Sequence, residues 1–423
     1  MKQYNSYKDS GIEWIGKIPS HWEVCRFKDF ASLRTDASDD DNKIGLENIE
    51  SKTGRFIETS TEFEGNGTAF QEGDIVYGKL RPYLQKVWLA TFDGNAVGDF
   101  FVFRAKENCH NKLLFYIMIS DGFTCLCNGA TFGAKMPRVS SDFIRGMHLY
   151  LPPMFEQDAM ISYLDKKCGE IDKAIATQEK RVELLKELRQ NIITQAVTRG
   201  IHPDAPLKDS GVEWIGEVPE HWEVKRIKHV CKINGRVGYR GYTTADLVPE
   251  GEGAYTIGGK HITNNVLDLS DAEYISWEKY YESPEIMVKK GDIVTAQRGS
   301  LGKTAIIRDE IGEATINPSL VLLNHIRILN EFLYWYLVSN TTLIAIELLN
   351  TSTAVPMVSQ WQISNIKIPV PPLSEQQEIV SYIESQTARL DKSIEKTEHQ
   401  IELLQELKQS VITEVVTGKR KVC

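Results

Sequence analysis

No stretch of this 423-residue sequence approaches the ~18 consecutive apolar residues that a membrane helix needs. The opening residues, MKQYNSYKDSG, hold no apolar core of a secretory signal, so a cytoplasmic chain is expected. Cysteines are few and scattered. Of the seven, only Cys125 and Cys127 lie close together, with a single residue between them and no second pair downstream, which is wrong for a zinc site. Reduced, mostly buried thiols are the expectation. The nine histidines show no ligand spacing either, so no metal site is expected. Positive charge is also in deficit: 49 Lys and Arg stand against 58 Asp and Glu, for a net charge of -9. Taken alone, that balance counts against a nucleic-acid partner.

The length predicts two to four domains, and 42% hydrophobic content is enough to give each a core. An internal duplication refines this. KDSGIEWIGKIPSHWEV (8–24) recurs as KDSGVEWIGEVPEHWEV (208–224), differing only at positions 12, 17, 18 and 20 and their counterparts. A second pair of segments, 151–200 and 370–419, aligns without a gap at a different offset. Each copy is an opening motif, a variable region, a PP-x-x-EQ element and a long tail. His21 and His221, inside the opening motif beside Trp22 and Trp222, are expected to pack.

In the first tail the apolar positions Ile161, Leu164, Cys168, Ile171, Ile175, Val182, Leu185 and Ile192 follow a 3,4 spacing, interrupted at Gln178 and Arg189. The second repeats it as Val380, Ile383, Thr387, Leu390, Ile394, Ile401, Leu404 and Val411. Sustained heptads with charges between them predict coiled-coil helices of about 40 residues, or about 60 Å. Pro152-Pro153 and Pro371-Pro372 mark the boundary before each helix. Ser374 is the expected N-cap of the second, with Gln377 at the capping-box position. Two seams in one chain allow either a homodimeric coil or an antiparallel pair within the chain.

The variable regions hold β-branched and aromatic runs punctuated by glycine, which predict short strands and turns. GDIV occurs in both, at 73–76 and 291–294. No region is basic overall, yet local windows are free of acid. Lys225–Arg240 holds six basic residues and no acid, and a basic loop follows each GDIV. Arg and Gln on such loops suit bidentate contacts to guanine and adenine edges, and Lys suits phosphate. The expected DNA-contacting residues are Lys79, Arg81, Lys86, Lys135 and Arg138 in the first copy. In the second they are Arg236, Tyr239, Arg240, Lys260, Gln297, Arg298 and Lys303.

Other motifs fail on inspection. Gly302-Lys303-Thr304 resembles the end of a phosphate loop, but Gln297 stands where that loop needs a glycine. Asn317-Pro318-Ser319-Leu320 is similar to an amino-methyltransferase motif but lacks its second proline and aromatic, and no cofactor loop accompanies it. No catalytic constellation emerges.

The repeated KDSG-[IV]-EWIG-x-[IV]-P-x-HWEV, with PP-x-x-EQ and a heptad helix closing each half, resembles the DNA specificity subunit of type I restriction-modification systems. The resemblance covers essentially the whole chain. It implies an α+β fold with an internal pseudo-two-fold repeat, two globular target recognition domains (1–150 and 201–369) and two long antiparallel coiled-coil helices (151–200 and 370–423). It implies a non-catalytic subunit reading a split, asymmetric site in double-stranded DNA. Its partners would be two modification (methyltransferase) subunits and the restriction subunits, with no membrane. The chain itself would need no cofactor: S-adenosylmethionine, ATP and Mg would sit on the partners. If both domains approach one face of the duplex, their centres should lie about 34 to 36 Å apart, one helical turn. Adding or deleting a heptad in one helix would then change the preferred spacer. A coiled-coil scaffold without DNA binding and a fused single-chain enzyme are the competing classes.

Overall fold

The computed structural model describes residues 3–12, 15–38, 41–236, 238, 241–350 and 355–422. The chain divides into two compact units, Met1–Lys180 with Glu398–Cys423, and Arg181–Thr397. Both are α+β.

In the first unit an antiparallel four-stranded sheet has the order Ala31–Arg34, Phe100–Ala105, Ile75–Gly78, Val87–Leu89. A second four-stranded sheet contains Gly67–Phe70 and Gly94–Ala96, the latter parallel to Lys43–Ile44. The second unit repeats the plan. Its antiparallel sheet runs Lys232–Gly235, Leu320–Asn324, Ile293–Ala296, Thr304–Ile306, and a five-stranded sheet includes the parallel pair Gly253–Ile257 and Ala314–Ile316.

The GDIV landmark has a backbone reason. Gly73 and Gly291 both have φ of 88°, a left-handed conformation that glycine adopts without a Cβ penalty. The aspartate that follows caps the turn: Asp74 accepts the Gln71 amide and Asp292 accepts the Lys289 amide, each at 2.9 Å. The buried Ile-Val pair then enters the central strand.

The PP-x-x-EQ element is a clamp. Glu156, 3% exposed, accepts Tyr4 Oη at 3.0 Å and the Trp22 indole N–H at 2.9 Å, and is paired with His21 Nε2. Gln157 accepts the His110 amide and donates to the carbonyls of Pro152 and Asn108. In the second unit Glu375 accepts Trp222 Nε1 at 3.1 Å and pairs with His221, while Gln376 accepts the Leu329 amide and donates to Pro371 O. The opening motif, the start of the long helix and the start of a short helix (Asn111–Met118 or Asn330–Leu337) are thereby tied together in each unit. The histidines do more than pack: each is a hydrogen-bond partner of that glutamate.

Two helices much longer than the rest, Met154–Arg199 and Leu373–Val416, start directly after the paired prolines. Ser374 consequently lies inside the first turn and is not the cap; the Gln376 amide bonds Pro372 O instead. The heptad seams are satisfied within the chain by antiparallel pairing. In the first unit Asp172 meets Lys408 at 2.8 Å and Tyr163 meets Arg420 at 2.7 Å. In the second, Arg189 meets Asp391 at 2.8 Å. Asp172 and Asp391 are counterparts, as are Lys408 and Arg189, so one pairing scheme is used twice. The seam differs from strict heptads at the helix ends. Ile193, Ala196 and Val197 are buried with Trp222 and Ile227, and Ile412, Val415 and Val416 with Trp22 and Phe27. There a helix must face a globular core as well as its partner helix, which takes a wider apolar face.

Among the described residues no single helix is long and apolar enough to cross a membrane. The bent apolar pair Asn330–Leu337 and Asn340–Leu349 supplies core side chains, including Phe332, Leu333, Tyr336 and Ala345.

Candidate nucleic-acid interface

In both units the strand after GDIV runs into a loop held by a second, later loop. In the first, Arg81 N donates to Pro137 O at 2.7 Å and Val139 N to Lys79 O at 3.1 Å, with β-bridges joining Leu80 to Arg138 and Phe132 to Arg138. In the second, Gly299 N donates to Pro356 O at 2.9 Å and Val358 N to Gln297 O at 2.9 Å, with a bridge joining Arg298 to Met357. The frame is the same and the side chains are not. Across the shared bridge the first unit has Leu80 opposite Arg138, and the second has Arg298 opposite Met357, so the cation has changed sides.

The surroundings of those cations differ too. Arg138 donates through Nε and Nη2 to Asp99 at 3.0 and 2.7 Å, and Lys79 Nζ stands 3.7 Å from the same carboxylate and 5.4 Å from the Phe101 ring centre. The Arg138 hydrogen bond lowers the Asp99 carboxyl below its ordinary value. In the second unit the backbone position of Asp99 is taken by Ser319, whose carbonyl accepts the Gln297 amide at 2.9 Å as Asp99 O accepts the Lys79 amide. Among the described residues Arg298 meets no carboxylate there; its Nη2 lies 3.3 Å from Met357 Sδ.

Arg81 is exposed in a left-handed conformation, φ 50°, at the entrance to the turn Pro82–Leu84. Lys135 is exposed on the loop between Phe132 and Arg138, where Phe132 is 60% and Met136 is 47% exposed. Lys79, Arg81, Lys135 and Arg138 thus share one end of the first unit. In the second, Gln297 and Lys303 flank a tight hairpin closed by Ala296 N to Lys303 O at 2.8 Å. Gln297 Nε2 donates to Pro318 O at 3.1 Å. Gly259 N reaches Ser319 Oγ at 3.4 Å, which brings Lys260 to the same end. Lys260 is itself paired with Glu273 at 3.2 Å.

That arrangement has relatives. The family described as Type I restriction modification DNA specificity domain matches residues 219–403. The type I restriction enzyme MjaVIII specificity subunit of Methanocaldococcus jannaschii is 25% identical over 96% of this chain and 94% of its own length. The EcoBI specificity subunit of Escherichia coli is 24% identical over 74% of this chain and 67% of its own. Over nearly its whole length the chain is thus similar to type I restriction-modification specificity subunits. A solved structure concerned with complex assembly and conformational transition of the type I R-M system contains a chain of similar fold, at TM-score 0.69 and 20% identity, covering 94% of this chain and 98% of that one.

Two of the expected contact residues are engaged by the protein itself. Lys86 turns inward, donating to Leu46 O at 2.7 Å and Ile49 O at 2.6 Å, and burial lowers its pKa. Its ammonium spends two of its three N–H groups on the backbone around Leu46–Asn48. Arg236 is 5% exposed, donates to Ile316 O at 3.2 Å and Thr315 Oγ1 at 3.1 Å, and lies over the Tyr242 ring. Burial lowers its pKa as well, and it acts as a core brace. Tyr239 and Arg240 lie outside the described residues.

Two motifs set aside in the sequence acquire structural roles. Asn317 Oδ1 accepts Ser319 N at 2.9 Å and Ser319 Oγ at 2.6 Å, an Asx turn that orients the carbonyl holding Gln297. Thr304 of the Gly-Lys-Thr segment spends its hydroxyl on Thr295 and on Gly302 O. Among the described residues no group of three or more His, Cys, Asp and Glu is placed to hold a metal. The residue that sequence reasoning missed is Asp99, for which an isolated aspartate before a strand is no signal.

Proposed function

We propose that this chain, as a specificity subunit, reads a split, asymmetric site in double-stranded DNA, with each globular unit acting as a target recognition domain for one part. The observation that carries this is the shared loop frame with exchanged side chains: Lys79, Leu80, Arg81 and Arg138 in one unit against Gln297, Arg298, Gly299 and Met357 in the other. A conserved backbone scaffold with different hydrogen-bonding groups is what two related but distinct base sequences require. The subunit is non-catalytic. It docks methyltransferase subunits, two in number, and restriction subunits, which bring S-adenosylmethionine, ATP and Mg and carry the chemistry on cytoplasmic DNA. An acidic chain suits this role because the assembled partners supply most phosphate contacts and this subunit supplies discrimination.

Co-expression of the chain with its modification subunits, followed by mapping of methylated adenines in host DNA, tests the reading. A two-part motif of unlike halves supports it. Methylation without a motif, or with a motif unchanged when the loops 79–81 and 297–299 are exchanged, overturns it.

A further inference from the structure

The guanidinium of Arg138 has two donor edges. One is spent on Asp99, to which Nε donates at 3.0 Å and Nη2 at 2.7 Å. The other, Nη1 with the outer N–H of Nη2, has no acceptor among the described residues, and the side chain is 35% exposed. The backbone beneath it is pinned on both sides, through the bridges to Leu80 and Phe132, with Arg138 N to Phe132 O at 3.0 Å and Phe132 N to Arg138 O at 2.9 Å. Another fork in the same unit shows the contrast. Arg104 is held the same way by Asp74, but its Nη2 also donates to Gln71 Oε1 at 2.8 Å, so that its outer edge is already in use.

An arginine edge of two parallel N–H groups matches the O6 and N7 acceptors of guanine in the major groove. A free arginine also swings to phosphate, which carries no sequence information. A carboxylate gripping the inner edge removes that freedom and repels phosphate. Resting on the DNA-reading function proposed above, we propose that Arg138 reads a guanine through its Nη1 and Nη2 edge, and that Asp99 is the positioning residue that aims it. Asp99 thereby trades affinity for discrimination. Among the described residues the second unit has no such device at this place, since Ser319 stands where Asp99 would be.

The test uses the full chain assembled with its modification subunits, as wild type, Asp99→Ala and the isosteric Asp99→Asn. Host-DNA methylation maps give the motif for each, and duplexes carrying 7-deazaguanine, which lacks the N7 acceptor, probe the contact. In wild type one guanine of one half-site is strictly required, and its 7-deaza replacement weakens binding about tenfold. In Asp99→Ala that position broadens, the deaza effect falls below about twofold, and the other half-site stays intact. Binding to unrelated DNA is unchanged or tighter, which a damaged fold would not produce. Variants that keep the wild-type motif overturn the proposal, as do variants that lose both half-sites together, which would make Asp99 a framework residue. A wild-type complex without any base preference overturns the DNA-reading function and this inference with it.

Discussion

Trp22 donates its indole N–H to Glu156 at 2.9 Å, closing a span of 134 residues onto the first turn of the central helix. The carboxylate is 3% exposed and serves Tyr4 and His21 as well. Replacing it strands several donors in a dry site. Glu156→Ala should lower the stability of the first unit by about 3 kcal/mol. Glu375→Ala should cost less, about 1 to 2 kcal/mol, because its 13% exposed side chain serves only His221 and Trp222 among the described residues. Calorimetry of the two variants would show the difference; equal losses would mean that the clamp is not where the first unit's stability resides.

Lys86 and Arg298 follow equivalent glycine turns yet should respond to mutation in opposite ways. Lys86→Ala removes the ammonium that bonds the carbonyls of Leu46 and Ile49 and should destabilise by about 1 to 3 kcal/mol with no change in the recognised sequence. A methylation map of the variant complex checks this, and a relaxed motif would return Lys86 to the interface.

Among the described residues Arg298 meets no carboxylate, and it stands beside Met357. Arg298→Ala should relax the second half-site at one base, costing about 1 to 3 kcal/mol in discrimination, and leave thermal stability nearly untouched. Competition binding with single-base variants of the site measures it. An unchanged preference would assign Arg298 to phosphate.

The Asp99–Arg138 pair should show itself in acid. The folded state holds the Asp99 carboxyl below its ordinary value of 3.8, chiefly through the Arg138 hydrogen bond. A depressed folded pKa contributes stability that is fully present above the unfolded value and is lost as pH falls through the folded one. The stability gap between wild type and Arg138→Ala should therefore be flat from neutral pH down to about 5 and shrink only below the unfolded value. Denaturation series at several pH values test this; a gap that closes near neutrality would exclude the pair as its source.

Much of the architecture was legible in advance because its signals are local. Gly73 and Gly291 precede strands for a φ that glycine favours, and the long helices announce themselves through spacing that any neighbour would see. The choice between a homodimeric and an intramolecular coil was not legible, since both satisfy the same heptads. Asp172 with Lys408 and Asp391 with Arg189 decide it within each unit. The His-Trp and Glu-Gln pairs were visible as repeats, but their partnership was not, because nothing in either motif names the other.

By itself the sequence determined the duplication, the two long helices and the strands that follow the GDIV turns, because turns and periodicity are written over a few neighbouring residues. Only the tertiary structure decided which cations those loops present. Lys86 and Arg236 turn inward to satisfy buried carbonyls, while Arg138 is aimed by an aspartate 39 residues away. The direction of a long charged side chain depends on acceptors brought near by folding, and no window of sequence contains them.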